Sequence, residues 1–201
     1  MKNLIKALIA IAIISLNATL VHAQNSKTTT GIYLTEQDYK LNKLTYALGD
    51  NDKLQLNEFL NGKNISMLYQ GKKIKLAKSE IYGYKLHNQD YRFFNNEAYG
   101  IIDTAGFTIY KKQKLTQQGK GYAPVECYFF SADAKQPVLA LTIENLWNSF
   151  PSQPGFRYSV QSSFKQDAEL MAYDKFLNQY KLKYIYMQHL YQKQDATHAS
   201  L

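Results

Sequence analysis

Residues 78–112 read "KSEIYGYKLHNQDYRFFNNEAYGIIDTAGFTIYKK", and this stretch decides the fold. Four short runs rich in tyrosine, phenylalanine and isoleucine, 80–86, 91–94, 99–102 and 107–111, are joined by "HNQD", "NNEA" and "DTAG". Tyrosine, phenylalanine and isoleucine favour strands, and the linkers carry turn residues. Gaps that short make neighbouring strands antiparallel, so the rings fall opposite one another and pack across the sheet. The aromatic crowding therefore reads first as sheet packing and only second as a surface for stacking a ligand. Gly83 interrupts the first run, which predicts a bulge or a close backbone approach.

The hairpin pattern extends upstream. "KLQLNEFL", "NISMLY" and "KKIKLAK" alternate apolar and polar residues, with turns expected at Asn61-Gly62 and Gln70-Gly71. Before them, Thr35 stands three residues ahead of Asp38, which marks a helix N-cap and a short helix over 36–42. After residue 112, "TQQGKGYAP" reads as a loop, and "VECYFFS" and "VLAL" form a further hairpin. Thr142 caps a helix that carries Trp147, expected to anchor the core, and Pro151 stops it. "PSQPGF" reads as a loop. Leu170, Tyr173, Leu177 and Tyr180 recur at helical spacing, so one helical segment is expected from about 163 to 192, with a break near 178–182. The predicted fold class is α+β: an antiparallel, hairpin-rich sheet, curled toward a barrel, with C-terminal helices packed against it.

The ends set the domain limits. Lys2 and Lys6 precede the apolar run 7–14, and Val21-His22-Ala23 offers a signal-peptidase site, so residues 1–23 are expected to be a signal peptide cleaved after Ala23. Removing its two lysines from the net charge of +8 leaves +6. Ser15 and Asn17 cut the apolar run short of a spanning helix, so no transmembrane span is expected in the mature chain. Residues 24–30 are expected to be flexible and 31–192 to form one domain, β-rich over 54–142 and helical over 143–192. Residues 193–201 read as a disordered tail. Export implies a periplasmic or extracellular location. The basic balance suits an acidic glycan, an envelope component or another protein, and export argues against nucleic acid.

Little in the chain signals chemistry. Cys127 is the only cysteine, so no disulfide forms within the chain, and its apolar surroundings predict burial rather than reactivity. His87, His189 and His198 have no metal-ligand spacing, so neither a metal nor a cofactor is expected. Ser131 and Ser159 sit in strand-like runs without a nucleophile elbow. Glu80, Asp90, Asp103 and Glu126 are carboxylates of the kind any β protein carries, and no catalytic residue is assigned. The candidate binding set is Tyr84, Arg92 and Tyr99, with Arg92 expected to pair with Glu80 or stack on Tyr84. Exposure of Tyr82, Tyr84, Tyr91 and Tyr99 together would mark a binding face.

"GIYLTEQDY", "EIYGYK" with "YRFFN", "LTIENLWNSFP" and "LMAYDKF" resemble a family of uncharacterised exported proteins from Bacteroidetes-type bacteria. The resemblance implies export and a compact β-rich core, and it brings no activity. "DTA" at 103–105 likewise resembles the short O-glycosylation sequon of such bacteria, which makes Thr104 a candidate modification site. The first functional reading is a non-catalytic binding or structural module of the cell envelope. The alternatives are a small envelope-directed hydrolase, using a carboxylate or a Cys127–His87 pair, and a peripheral membrane protein that docks through its final helix.

Overall fold

The computed structural model describes residues 29–58 and 62–198. Residues 1–23, where a signal peptide is expected, residues 24–28, Asn61 of the expected Asn61-Gly62 turn and residues 199–201 lie outside the described residues. The chain runs through β1 (Thr30–Tyr33), α1 (Glu36–Lys40), β2 (Tyr46–Leu48), β3 (Lys53–Gln55), β4 (Asn64–Tyr69) and β5 (Lys72–Ala77). It continues with β6 (Gly83–Leu86), β7 (Gln89–Phe94), β8 (Glu97–Asp103), β9 (Thr108–Gln118), β10 (Gly121–Ser131) and β11 (Leu139–Ala140). The last elements are α2 (Ile143–Ser149), α3 (Pro154–Ser163), β12 (Tyr173–Asp174), β13 (Gln179–Tyr180) and α4 (Lys181–His198).

The protein is α+β, and its main sheet is antiparallel, eight strands in the order β11-β10-β9-β8-β7-β6-β1-β2. That order has two free ends, so the sheet is open and the expected curl toward a barrel does not close. Strands β3, β4 and β5 form a separate three-stranded sheet, and β12 pairs only with β13. The β6–β7 and β7–β8 links carry positive φ at both central residues: His87 (50°) and Asn88 (66°), then Asn95 (50°) and Asn96 (65°). Paired left-handed residues give the tight turns whose twist matches the flanking strands, and asparagine tolerates them. Gly83 provides the close approach expected of it, since a Cβ there would lie 1.9 Å from the Tyr91 carbonyl oxygen.

Alternate residues of one strand face opposite sides, and register pairs share a side. Ile109 pairs with Phe130 and faces the helices, where Phe107, Phe150, Phe156, Leu182 and Tyr186 complete the largest apolar cluster. Tyr110 pairs with Phe129 and faces the other way, toward Tyr99, Ile101, Val138 and Tyr39. A bulge between Ile101 and Asp103 lets adjacent Ile101 and Ile102 reach different clusters. On the helical side, but at the opposite end of the sheet, Tyr84 and Phe93 pack with Ile65 and Met67 of the three-stranded sheet. That face therefore carries two separate covers.

Four elements depart from the sequence expectation. Pro154 opens α3 from its first turn, where the missing N–H costs nothing, so the "PSQPGF" loop gives way to a helix and Ser159 is helical rather than in a strand-like run. Residues 173–180 form a hairpin instead of a helix: Asp174 Oδ1 accepts from Phe176 N (2.8 Å) and Leu177 N (3.0 Å), and Asn178 takes φ 52°. The helical stripe therefore breaks, and Tyr173 and Leu177 are exposed. "TQQGKGYAP" pairs as the outer part of β9 and β10. At the chain end α4 stays helical through His198, where a disordered tail was expected.

Thr35 and Asp38 form the predicted capping box, and Thr142 accepts from Asn145 N. Trp147 is half-buried, with the Arg157 guanidinium 3.8 Å above its ring, so it lies at the edge of the core. Among the described residues no helix is long and apolar enough to cross a membrane.

Candidate functional site

A groove of about 670 Å³ opens beside the three-stranded cover, running from Leu56 and Glu58 across the sheet to Lys111 and Glu126. Its floor is the cross-strand row Tyr91, Gly100, Lys111, in which Gly100 pairs with both neighbours. Gly100 has no side chain to fill the row. The Tyr91 ring covers it instead, with Cε1 3.4 Å from where a Cβ would sit. Tyr91 also stacks on Tyr84 at 4.6 Å and 5°. Tyr84 is buried, and its hydroxyl donates to Glu58 Oε1 at 3.3 Å. Tyr91, half-buried, is the ring that meets the groove.

Charged groups on the rim are already engaged. Lys112 Nζ lies 2.6 Å from Glu97 Oε1, and the Tyr99 hydroxyl donates to Glu97 Oε2 at 2.6 Å. Lys111 lies 3.9 Å from Glu126, which also accepts from the Tyr128 hydroxyl. Burial pushes the Glu97 carboxyl up, but Lys112, the Tyr99 hydroxyl and Lys114 outweigh it, and the net shift is downward. A general acid needs the opposite shift. The arrangement is suited to hydrogen bonding a polar ligand over an aromatic surface. Proton donation from Glu97 is disfavoured.

The three candidate binding residues do not converge. Tyr84 forms the groove wall, whereas Arg92 and Tyr99 are register partners on the opposite face. Arg92 is buried and donates to the Tyr110 hydroxyl (2.9 Å), Ser131 Oγ (3.0 Å) and the Gln136 carbonyl (3.1 Å). Its guanidinium lies over the Phe94 and Tyr110 rings, so neither the Glu80 pair nor the Tyr84 stack forms. Glu80 is exposed in a 3-10 turn (Lys78–Glu80). Tyr84 and Tyr99 are buried and Tyr82 and Tyr91 half-buried, so the expected aromatic face is mostly interior.

Other expectations separate in the same way. His87 sits at the β6–β7 turn, while Cys127 is half-buried on β10 beside the Tyr99 and Phe129 cluster, with β7, β8 and β9 between them. Asp90 accepts from the Tyr33 hydroxyl at 3.0 Å, and Asp103 faces Lys183 at 3.6 Å, so the carboxylates singled out from sequence are dispersed. Thr104 is exposed in the β8–β9 turn, where Asp103 Oδ1 accepts from Ala105 N at 2.8 Å.

Two polar features escaped the sequence reading. Ser159 Oγ and His189 Nε2 are 2.8 Å apart and join α3 to α4. Ser159 lies within α3, where the neighbouring backbone N–H groups are spent on helix bonding, so the helix backbone supplies no oxyanion donors beside it. Lys183, 1% exposed, donates to the Ala105 (2.9 Å) and Phe107 carbonyls and sits over the Phe107 ring. Burial lowers its pKa to about 8, against the opposing pull of Asp103. No local pattern announces either contact, because the partners lie 30 and 76–78 residues away. Among the described residues no cluster of histidine, cysteine and carboxylates has the geometry of a metal site.

Comparison with protein-family models, curated proteins and solved structures gave no match.

Proposed function

We propose that this chain is an exported, non-catalytic binding module of the cell envelope and that its groove holds a segment of glycan. Tyr91, backed by Tyr84 and set over the Gly100 floor, is the observation that carries this reading. A rigid ring laid flat over a glycine of the sheet suits the flat, partly apolar face of a sugar. Lysine and glutamate groups on the rim supply donors and acceptors for its hydroxyls. The groove is lined by Glu58, Glu97 and Glu126 against Lys111 and Lys112, so a neutral glycan fits it better than an acidic one.

Calorimetric titration of the mature chain tests the reading with neutral glucose and N-acetylglucosamine oligosaccharides beside an oligogalacturonate. A neutral oligosaccharide is expected to bind, the acidic one more weakly, and Tyr91→Ala to abolish the heat. Silence from every glycan overturns the proposal, as does a Tyr91→Ala variant that binds like the native chain. Export predicts that the native protein begins at Gln24, and the candidate modification predicts glycan mass on Thr104. Intact mass of the protein from its own cells tests both.

A further inference from the structure

Strands β9 and β10 pair over their full length, from Thr108↔Ser131 to Gln118↔Gly121. Their neighbours stop early: β8 pairs with β9 only over Ile109–Lys111, and β11 pairs with β10 only at Phe129 and Phe130. The outer part is thus a two-stranded arm, and every residue from Gln113 to Tyr122 is exposed. A ribbon without a third strand is marginal in water. This one also presents Leu115 and Tyr122, each 73% exposed. Leu115 pairs with Pro124 and Gln117 with Tyr122, so Leu115, Tyr122 and Pro124 share one face. Lys114 and Lys120 lie along the same stretch beyond the groove, and no acid follows them until Glu126. At the tip, a Cβ on Gly119 or Gly121 would meet nothing within 4 Å.

We infer that this arm docks the protein on an anionic lipid surface. Leucine and tyrosine on a narrow projection reach headgroup depth, while lysine stems lie along the apolar boundary and their ammonium groups meet lipid phosphates. Lysine is depleted at protein interfaces and favoured against anionic headgroups. Edge pairing with a second copy is also opposed by the chain. The Tyr128 carbonyl accepts from Leu141 N toward β11, so Glu126 and Pro124, two and four residues earlier, direct their backbone to the same open edge. Pro124 has no N–H to offer there. The inference stands apart from the glycan reading, because it concerns the arm beyond the groove.

Co-sedimentation of the mature chain with phosphatidylcholine vesicles, with and without phosphatidylglycerol, tests it. Binding is expected on the anionic vesicles, at least about tenfold weaker on phosphatidylcholine alone or in raised salt. The double variant Leu115→Ser/Tyr122→Ser should lose it, as should Lys114→Glu/Lys120→Glu. Leu41→Ser, which removes a leucine 63% exposed elsewhere, should bind like the native chain. A Leu115→Trp reporter should shift its emission to the blue on anionic vesicles. Absence of anionic binding overturns the inference, and so does binding that survives both double variants. A concentration-dependent dimer lost in Leu115→Ser/Tyr122→Ser would assign the face to a second copy instead.

Discussion

The two faces of strands β7 and β8 are made of the same residue types and end in opposite states. On one, Arg92, Tyr110 and Ser131 satisfy each other through hydrogen bonds beside the buried Tyr99 ring, under cover from Tyr39 and the loop after β10. On the other, Tyr84 and Tyr91 stack over a glycine of the sheet, and a groove remains open beside the three-stranded cover. The difference lies in what is packed above each face. Tyrosine and a cation in sequence therefore do not distinguish an interior network from a ligand surface; coverage does.

Variants break the comparison most sharply on the closed face. Arg92→Ala should cost about 4 kcal/mol in chemical denaturation, since it leaves a cavity and strips the Gln136 carbonyl of its buried donor. Arg92→Lys should still lose about 2 kcal/mol, because one ammonium cannot reproduce the guanidinium fork that spans three acceptors. Unchanged melting in either variant would make that face no different from a solvated one. Gly83→Ala, which forces a methyl against the Tyr91 carbonyl, should cost about 3 kcal/mol and loosen both faces, as read by amide exchange in β6 and β7.

Titration sharpens the picture of the interior. The Lys183 pKa is held near 8 against an ordinary 10.5, so between those values the folded state has released a proton that the unfolded state still binds. Stability from this group is lost as pH falls through about 8 and rises as pH climbs from there. Tyr33, Tyr84 and Tyr99 run the other way: burial pushes each above the ordinary 10.0, so above pH 10 the unfolded state sheds protons that the folded state keeps. Stability should therefore climb by on the order of 2 kcal/mol from pH 8, peak near 10 and then fall. Lys183→Met should flatten the climb and leave the fall. The smallest stability effect is expected on the open face, where Tyr91→Ala removes a half-buried ring at about 1 kcal/mol.

The hairpins were legible because "HN", "NN" and "QG" carry residues that accept left-handed backbone, and the runs between them favour strand. Thr35 and Thr142 announced their helices by capping chemistry alone. The 173–180 hairpin was not legible, since Leu170, Tyr173, Leu177 and Tyr180 satisfy a helical stripe while Asp174 and Asn178 fold the backbone locally the other way. The arm read as a loop because Gly119, Gly121 and Pro124 are loop signals, and strand pairing overrides them. Of the candidate binding set, only Tyr84 touches the groove. Arg92 has partners 18, 39 and 44 residues away, and the groove brings Leu56 and Glu58 together with residues as distant as Glu126, so no local pattern encodes either.

Amide chemical-shift mapping during titration with a neutral oligosaccharide asks directly which face meets a guest. The shifts should move at Tyr91, Gly100 and Lys111 while Arg92, Tyr110 and Ser131 stay still. Movement centred on Arg92 and Ser131, or none at Tyr91 under saturating sugar, would contradict the assignment of the groove as the ligand site.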